Sequence, residues 1–387
     1  MSFSRSLLAI AAASAVLLSG CGSDDDKASK PSRADAQAVA TTYADLVLAA
    51  YDASIASTEK MHGAIGTFIA KPTAATMKTA RDEWLAARDD YVVTEPFRFY
   101  GGPIDDPETG PEGQINAWPM DEAYVDYVEG NPRAGLVNDT KGTPKITRAA
   151  IVEANEQGGE TNISSGWHAI EFLLWGQDKS NSGPGARPAS DYSSAPNAKR
   201  RAAYLRLTSE QLVDDLKSVR DPWDRTGGAF RKAFLADPER AVTRMLRGIG
   251  ALALNELAGE RMAVALESRE QEDEHSCFSD NTNADVVNDI KGIRMVYEAD
   301  FPGVSGPSLQ SLVAKSDPGV AEDLRSQIDE ALAKAQKFPA TFETMIAAAD
   351  DSAEREALEQ VIEDLEGQGD TLADAADALG VKVGFEL

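Results

Sequence analysis

The sequence is poor in the residues that most often hold metals or act as nucleophiles. Its 387 residues include three histidines and two cysteines. Two cysteines exclude a zinc ribbon or a disulfide-stabilised scaffold, because each of those needs several cysteines. The histidines are His62, His168 and His275. Any histidine-dependent chemistry must therefore involve one of three positions.

Positive charge is also scarce. The chain has 38 Lys and Arg against 64 Asp and Glu, which gives a formal net charge of −26. Since proteins bind phosphate backbones through Lys and Arg, we expect no nucleic-acid partner. The 42% hydrophobic fraction excludes global disorder. At roughly 150 residues per domain, the length suggests two domains.

The apolar run at residues 7–18 is too short for a membrane-spanning helix, which needs about 20 residues. A basic residue precedes it and small residues follow it, as is typical of a secretory signal. Residues 18–21, Leu-Ser-Gly-Cys, resemble the bacterial lipobox. We therefore predict a lipoprotein signal peptide at residues 1–20, lipidation of Cys21 and a flexible tether at residues 21–34. Ordinary signal cleavage is the alternative.

No convincing period-two alternation of β-strands occurs, and apolar residues recur instead at helical spacing. This pattern predicts an all-α fold of two packed antiparallel helical bundles, at residues 35–235 and 236–387. The predicted helices lie at residues 35–69, 74–99, 121–128, 147–157, 165–175, 197–216, 238–274, 286–300, 320–349 and 351–379.

Residues 100–119 hold four prolines and four glycines and are predicted to form a long irregular loop. Loops of this length in compact domains are usually functional or disordered. Its apolar members Ile104, Ile115 and Trp118 favour an ordered loop that packs on the helices.

Residues 164–176, SSGWHAIEFLLWG, contain the strongest chemical pattern. Apolar residues surround the predicted helix, which is typical of a buried helix. His168 and Glu171 are three residues apart and project from the same face. A buried carboxylate must be paired, protonated or bound to a metal. The pattern therefore indicates either two ligands for zinc or iron, or a structural network that pairs Glu171 with His168 or an arginine.

Five glutamates recur at heptad-like intervals in the predicted helix at residues 238–274, which would align them on one face. They are Glu256, Glu260, Glu267, Glu270 and Glu274. Two interpretations are open: a solvated face paired with nearby arginines, or a stripe whose C-terminal end brings acids and His275 to the first site. Cys277 is not favoured as a nucleophile, because a lone cysteine is more often packed than reactive.

Several blocks of the sequence resemble the imelysin-like proteins, also called the insulin-cleaving metalloprotease or iron-regulated protein A family. Residues 166–176 are similar to the GxHxxE signature of that family. The supporting blocks are EPFRF at residues 95–99, GPID at 102–105, INAWPMDE at 115–122 and DEHSCFSDNT at 273–282. The resemblance covers residues 35–385.

The resemblance implies a two-part helical fold with a site between its halves, formed around His168 and Glu171. It also implies an iron-regulated protein of the cell envelope. The glycine that follows Cys21 indicates the outer membrane, with the folded part in the periplasm, in a host that has such a membrane. Peptidase activity is part of the family name.

From the residues and the resemblance together we expect an envelope lipoprotein that binds a metal ion, iron by preference, in iron acquisition. The expected metal ligands are His168 and Glu171. Further site residues are drawn from Glu95, Arg98, Asp105, Asp121, His275 and Asp280. The expected partners are the metal ion, the membrane through the lipid on Cys21, and iron-transport proteins or a peptide ligand.

Two other functions are weighed against this one. The first is a zinc-dependent metallopeptidase with Glu171 as the catalytic base. The second is a metal-free module that binds a peptide, a polysaccharide or haem in the cleft between the bundles.

Overall fold

A computed structural model describes residues 30–180 and 183–385. Within these ranges the chain is all-α, as the sequence predicts, and an isolated bridge between Val128 and Asn131 is its one β-type pairing. None of the helices in the same ranges is both long and apolar enough to cross a bilayer. The predicted signal peptide and Cys21 lie outside the described residues.

The α-helices, numbered in chain order, are α1 (Arg33–Ala70), α2 (Ala74–Val92), α3 (Glu112–Ile115), α4 (Glu122–Val125), α5 (Gly135–Asn138), α6 (Arg148–Ala154), α7 (Gly166–Trp175), α8 (Ala198–Arg220), α9 (Ala229–Ala236), α10 (Pro238–Ala251), α11 (Val264–Ser268), α12 (Thr282–Glu298), α13 (Leu309–Ser316), α14 (Pro318–Ala335), α15 (Phe342–Ala347) and α16 (Ala353–Leu379). A π-helix, Leu252–Ala263, joins α10 to α11, and 3-10 turns lie at Glu95–Phe97, Ala189–Tyr192, Asp221–Trp223 and Gln271–Asp273.

Helix α1 is the longest element of the described residues. Ser32 begins it with a capping box, in which the Ser32 hydroxyl accepts from the Asp35 amide and the Asp35 carboxylate accepts from the Ser32 amide. The helix packs against α2 and α8 and also contacts α10 and α13. It therefore touches helices of both predicted bundles, and the division at residue 235 stays a prediction.

Two predicted helices are longer than the observed ones: one ends early and the other is interrupted. A proline explains each difference. Helix α2 ends at Val92 rather than Phe99, and the 3-10 turn that contains Pro96 follows it. The predicted helix at residues 320–349 is split into α14 and α15, with Pro339 in the gap. Proline lacks an amide donor and disfavours helix at the residue before it. Helices α3, α5, α9 and α13 are not among the helices predicted from the sequence.

The expected single helix at residues 238–274 is also wrong. The π-helix changes the residue spacing along this stretch, and the helical part ends at Ser268. The five glutamates therefore do not share a face. Glu260, Glu267 and Glu270 are exposed, Glu256 is partly buried, and Glu274 is buried in the segment after the helix.

Helix α7 is buried over all ten of its residues, as its apolar sequence predicts. It begins against the loop at residues 100–119, which is ordered with Ile104 and Ile115 buried in the core. Gly166 starts the helix at φ 83°, a left-handed conformation that favours glycine. A Cβ atom there would lie 2.4 Å from the carbonyl oxygen of Ile115. Glycine is therefore required where the helix meets the loop.

We expect the substitution Gly166→Ala to lower the free energy of unfolding by about 2 kcal/mol or more, because it adds a left-handed alanine and a clash with backbone. Chemical denaturation measures this. The control is Gly63→Ala in α1, where a Cβ meets nothing within 4 Å. Since alanine favours helix more than glycine does, the free energy of unfolding of that variant should rise by about 0.5 kcal/mol. Equal stability of the two variants would contradict this account of α7.

Candidate functional site

His168 and Glu171 lie together on α7 and are almost fully buried, with 1% and 0% of their surface exposed. His168 Nδ1 is 3.1 Å from Glu171 Oε2. The other carboxylate oxygen, Oε1, accepts from the Ser279 amide at 2.9 Å and from the Ser279 hydroxyl at 2.6 Å. Both oxygens of Glu171 are thus engaged, one by the histidine and one by the segment between α11 and α12.

The remaining ring nitrogen of His168, Nε2, is buried and has no hydrogen-bond partner among the described residues. Burial, reinforced by the charge of Arg88, lowers the pKa of His168 well below its ordinary value. The imidazole is therefore neutral at physiological pH. Burial also raises the pKa of Glu171 to about 8, against the opposing hydrogen bonds from Ser279.

The contact between His168 Nδ1 and Glu171 Oε2 fits two positions of the proton: Nδ1–H donates to the carboxylate, or a protonated Glu171 donates to Nδ1. When the proton is on Nδ1, Nε2 has a free lone pair, and the Glu171 carboxylate fixes the orientation of the ring through its hydrogen bond with Nδ1. Histidine binds metal ions in this neutral form, and metal-binding histidines usually donate their other N–H to a carboxylate or carbonyl. The geometry thus leaves His168 Nε2 without a partner among the described residues, whereas both oxygens of Glu171, the other predicted ligand, are hydrogen-bonded within the protein.

His275 lies next to His168, in agreement with one of the two interpretations that the sequence leaves open. The two ring centroids are 5.1 Å apart. His275 Nδ1 lies 2.9 Å from Asp285 Oδ2 on α12, and its Nε2 lies 3.1 Å from an Arg88 nitrogen. Burial and the charges of Arg261 and Arg88 lower the pKa of His275 to about 4. The site thus contains two neutral imidazoles, each held by a carboxylate.

Arg88 is a residue of this site that the sequence analysis missed. It is fully buried on α2 and forms an ion pair with Asp285 at 3.0 Å. A second guanidinium nitrogen donates to the Asn116 side-chain oxygen at 2.5 Å. Burial alone would raise the pKa of Asp285, but Arg88 and His275 hold it well below its ordinary value. Arg88 gives no signal in the sequence, because it stands among other charged residues of α2.

Glu95 and Arg98 belong to an adjacent ionic network. Glu95 Oε2 lies 2.6 Å from Arg98 and 2.5 Å from Arg261. Arg261 pairs in turn with Asp289 at 2.8 Å and with Glu256 at 2.8 Å. Burial would raise the pKa of Glu95, but the two arginines hold it well below its ordinary value. Glu95 therefore serves as their counter-ion.

Three predicted site residues take other positions. Asp105 accepts from the backbone amides of residues 100–102 at 3.0, 3.2 and 2.6 Å and so shapes the loop. Asp121 caps α4 by accepting from the Ala123 amide at 2.9 Å. Asp280 lies beside Asp178. In the described part of the chain, none of the three aspartates has a hydrogen bond or ion pair with His168 or Glu171.

Two cavities approach the paired histidines. One, of about 10 Å³, is lined by His168, His275, Trp118 and Cys277 among others. The other, of about 390 Å³, lies outside it and is lined by residues that include Glu112, Asn116 and Glu256. Trp118 and His275 line both cavities.

Trp118 lies in the lining that the two cavities share. Its indole N–H donates to the Glu274 carbonyl at 2.7 Å, and its ring stands edge-on to His275 with centroids 5.6 Å apart.

Cys277 is buried as a free thiol, and burial raises its pKa well above the ordinary value, so it is a packed side chain rather than a nucleophile.

The residues fit a metal ion in part. Over residues 30–180 and 183–385, no three His, Cys, Asp or Glu side chains converge as a ready-made metal site. One buried imidazole nitrogen without a partner is present, with a carboxylate behind it. This donor set would supply one ligand from α7, and the other coordination positions would be left to water or to side chains that move.

The raised pKa of Glu171 predicts a pH dependence of stability. The folded chain binds more protons than the unfolded chain between pH 4.5 and about 8. The free energy of unfolding therefore falls as pH rises through that range. We expect the parent to lose at least about 1 kcal/mol more than Glu171→Gln between pH 5 and pH 8, measured by urea denaturation with a chelator present. The exposed Glu363→Gln is the control, and parallel curves for the parent and Glu171→Gln would contradict the assignment.

Comparisons with known proteins identify the family of the chain. The imelysin (peptidase M75) family model matches residues 47–372. Iron-regulated protein A of Synechococcus elongatus is 26% identical over 314 residues, which cover 78% of this chain and 75% of that protein.

Two crystal structures share the fold. One, from Parabacteroides distasonis, carries the provisional name iron-regulated protein A precursor; its TM-score is 0.68 at 19% identity, over 90% of this chain and 96% of that one. The other, an imelysin-like protein from Psychrobacter arcticum, has a TM-score of 0.67 at 15% identity, over 92% of this chain and 99% of that one. The resemblance read from the sequence is confirmed, and the chain belongs to the imelysin family.

Proposed function

We propose that this chain is a cell-envelope protein that binds a metal ion, iron by preference, at His168 and takes part in iron acquisition. The observation that carries the proposal is the buried, unpartnered Nε2 of His168, with Glu171 hydrogen-bonded to the other ring nitrogen, Nδ1. A buried polar atom without a partner costs about 1 to 3 kcal/mol, so a ligand that binds this nitrogen would remove that cost.

The choice of iron is supported by chemistry and by the relatives. Imidazole nitrogen suits iron as well as zinc. The larger cavity is lined by four glutamates against one arginine, Arg98, so its potential favours the entry of a cation. The relative in Synechococcus elongatus is named for its regulation by iron. We therefore propose that the protein binds and carries iron, and that zinc is the next most favoured metal at the same site.

The proposed location in the cell envelope is supported by the first residues of the chain. The lipobox-like residues 18–21 support lipidation of Cys21 after removal of residues 1–20. We propose that the lipid holds the folded part at the periplasmic side of the outer membrane. Iron-transport proteins in the same compartment would then be its partners.

The metallopeptidase alternative has less support. The space of about 10 Å³ beside His168 holds a water molecule or an ion but no peptide group. Both oxygens of Glu171 are engaged by His168 and Ser279, so neither is free to activate a water molecule. The geometry therefore favours binding of a metal cargo over hydrolysis.

We expect His168→Ala to weaken the binding of Fe²⁺ or Zn²⁺ at least tenfold in anaerobic calorimetric titrations, because it removes the donor nitrogen. Glu171→Gln should weaken it by about 10- to 100-fold, as is usual when the orienting partner of a metal-bound histidine is lost. His62→Ala is the matched control, because His62 Nδ1 bonds to Ser209 between α1 and α8. Parent-like affinity in His168→Ala would refute the proposed site.

Trp118 gives a kinetic test of the same site. The Trp118 ring lines both the small cavity and the larger one. If the metal passes between them, Trp118→Ala should speed both its uptake and its release to a chelator several-fold. Stopped-flow mixing with a coloured chelator measures this. Trp118→Phe keeps an aromatic ring in place and should stay near the parent rates. Unchanged rates in Trp118→Ala would mean that the metal enters by another route.

A further inference from the structure

A groove of about 240 Å³ lies where the described chain begins. One wall is formed by residues 30–33, which lead into α1, and by the first turn of that helix. The other walls come from α10, α13, the C-terminal end of α16 and the two residues that follow it. We call it the α1 groove. It shares no lining residue with the two cavities beside the histidines.

The α1 groove has an aliphatic floor and a cationic rim. The buried part of its lining consists of Ala36, Val242 and Leu312. The charged part is exposed and consists of two cations, Lys30 and Arg33, and one acid, Glu239. The larger cavity beside His275 has the opposite balance, with four glutamates and one arginine. On a chain with a net charge of −26, the α1 groove is thus a place that an anion can approach.

The charge of Arg33 is not cancelled by its neighbours. One guanidinium nitrogen donates to the Ala236 carbonyl at 3.2 Å, and Arg33 has no ion pair in the described part of the chain. Asp35, the nearest acid in α1, is already engaged by an ion pair with Lys315 in α13 and by the amide of Ser32. Arg33 therefore keeps donors for a ligand at the rim.

The start of α1 is also the part of the fold that the chain itself places near a membrane. Lys30 is the first described residue, and nine residues, 21–29, precede it from Cys21 onward. Nine residues span at most about 30 Å. With Cys21 lipidated, the groove stays within that distance of the bilayer, whereas α1, at 38 residues, extends about 57 Å from it. This inference therefore rests on the lipidation proposed above.

We propose that the α1 groove docks on the membrane that holds Cys21, by binding the headgroup of an anionic phospholipid. Arginine binds phosphate oxygens through paired N–H groups, and lysine adds a point charge. Apolar surface and attraction to anionic lipid together determine how firmly a protein lies on a bilayer. Arg33 and Lys30 bind the phosphate, and the aliphatic floor lies against the first carbons of the lipid. The contact orients the folded part, since the lipid on Cys21 already attaches it.

The test uses the full-length lipoprotein in vesicles, with a dye on Ala236→Cys beside Arg33 or on Ala70→Cys at the other end of α1. Cys277 is buried, so the dye reacts with the introduced thiol. Energy transfer to a fluorescent lipid reports the distance of the dye from the bilayer.

We expect transfer from position 236 to be at least about twofold higher in vesicles of phosphatidylethanolamine and phosphatidylglycerol than in phosphatidylcholine vesicles. The difference should vanish at about 0.5 M salt, which screens charge beyond a few ångströms. The dye at position 70 should give low transfer throughout. Equal transfer in the two vesicles, or no effect of salt, would overturn the proposal, because the lipid on Cys21 acts in both.

Charge reversal locates the contact. Arg33→Glu and Lys30→Glu should each at least halve the effect of phosphatidylglycerol. Arg33 is the first residue of α1, where an acid favours the helix, so the fold should be kept. Lys71→Glu makes the same change at an exposed position after the other end of α1 and is the matched control. An effect of the parent size in Arg33→Glu would refute the groove.

Other measurements separate this proposal from the proposed function. Intact mass shows whether Cys21 carries lipid, and Arg33→Glu should bind metal like the parent. A lipidated chain that does not respond to phosphatidylglycerol refutes the groove alone. A chain without lipid refutes the anchor, and its failure to sediment with the same anionic vesicles would refute the groove as well. If inorganic phosphate at constant ionic strength removes the effect, the groove binds free phosphate and the membrane assignment is wrong.

Discussion

The buried ion pair between Arg88 and Asp285 is the interaction on which the arrangement of the candidate site depends. Neither side chain is open to water, and each charge is tolerated only because the other is present. Removal of one partner of such a pair typically costs about 3 to 5 kcal/mol, since the other charge stays buried and unpaired. Helices α2 and α12 are thus obliged to meet at one place, and that place adjoins the two histidines.

Asp285 also fixes the position of the segment before α12, residues 276–281. It accepts from the Ser276 hydroxyl at 2.7 Å and from the Asn281 side chain at 3.1 Å, so it holds both ends of the segment. Ser279, between them, bonds to Glu171, and Glu171 orients His168. Hydrogen bonds and the backbone of residues 276–281 therefore connect a buried arginine on α2 to Nδ1 of His168. The position of the proposed donor atom is set by four separate segments rather than by α7 alone.

The sequence was informative where apolar pattern and burial coincide. Helix α7 could be predicted as buried because apolar residues surround it, and the pair of His168 and Glu171 then followed from their spacing. The arginines were not predictable in the same way. Arg88 and Arg261 stand in helices rich in charge, where most arginines face water. Only the packing of α2, α12 and the π-helix shows that these two are buried and paired.

The π-helix Leu252–Ala263 places Glu256 and Arg261 in contact although they are five residues apart. In a regular α-helix a spacing of five turns the two side chains well away from each other, because 3.6 residues complete a turn. This part of the ionic network thus depends on the number of residues in the segment as much as on their identity. A deletion of one residue here could leave every charged side chain in the sequence and still disperse the network, so the length of this segment is itself a determinant of the site.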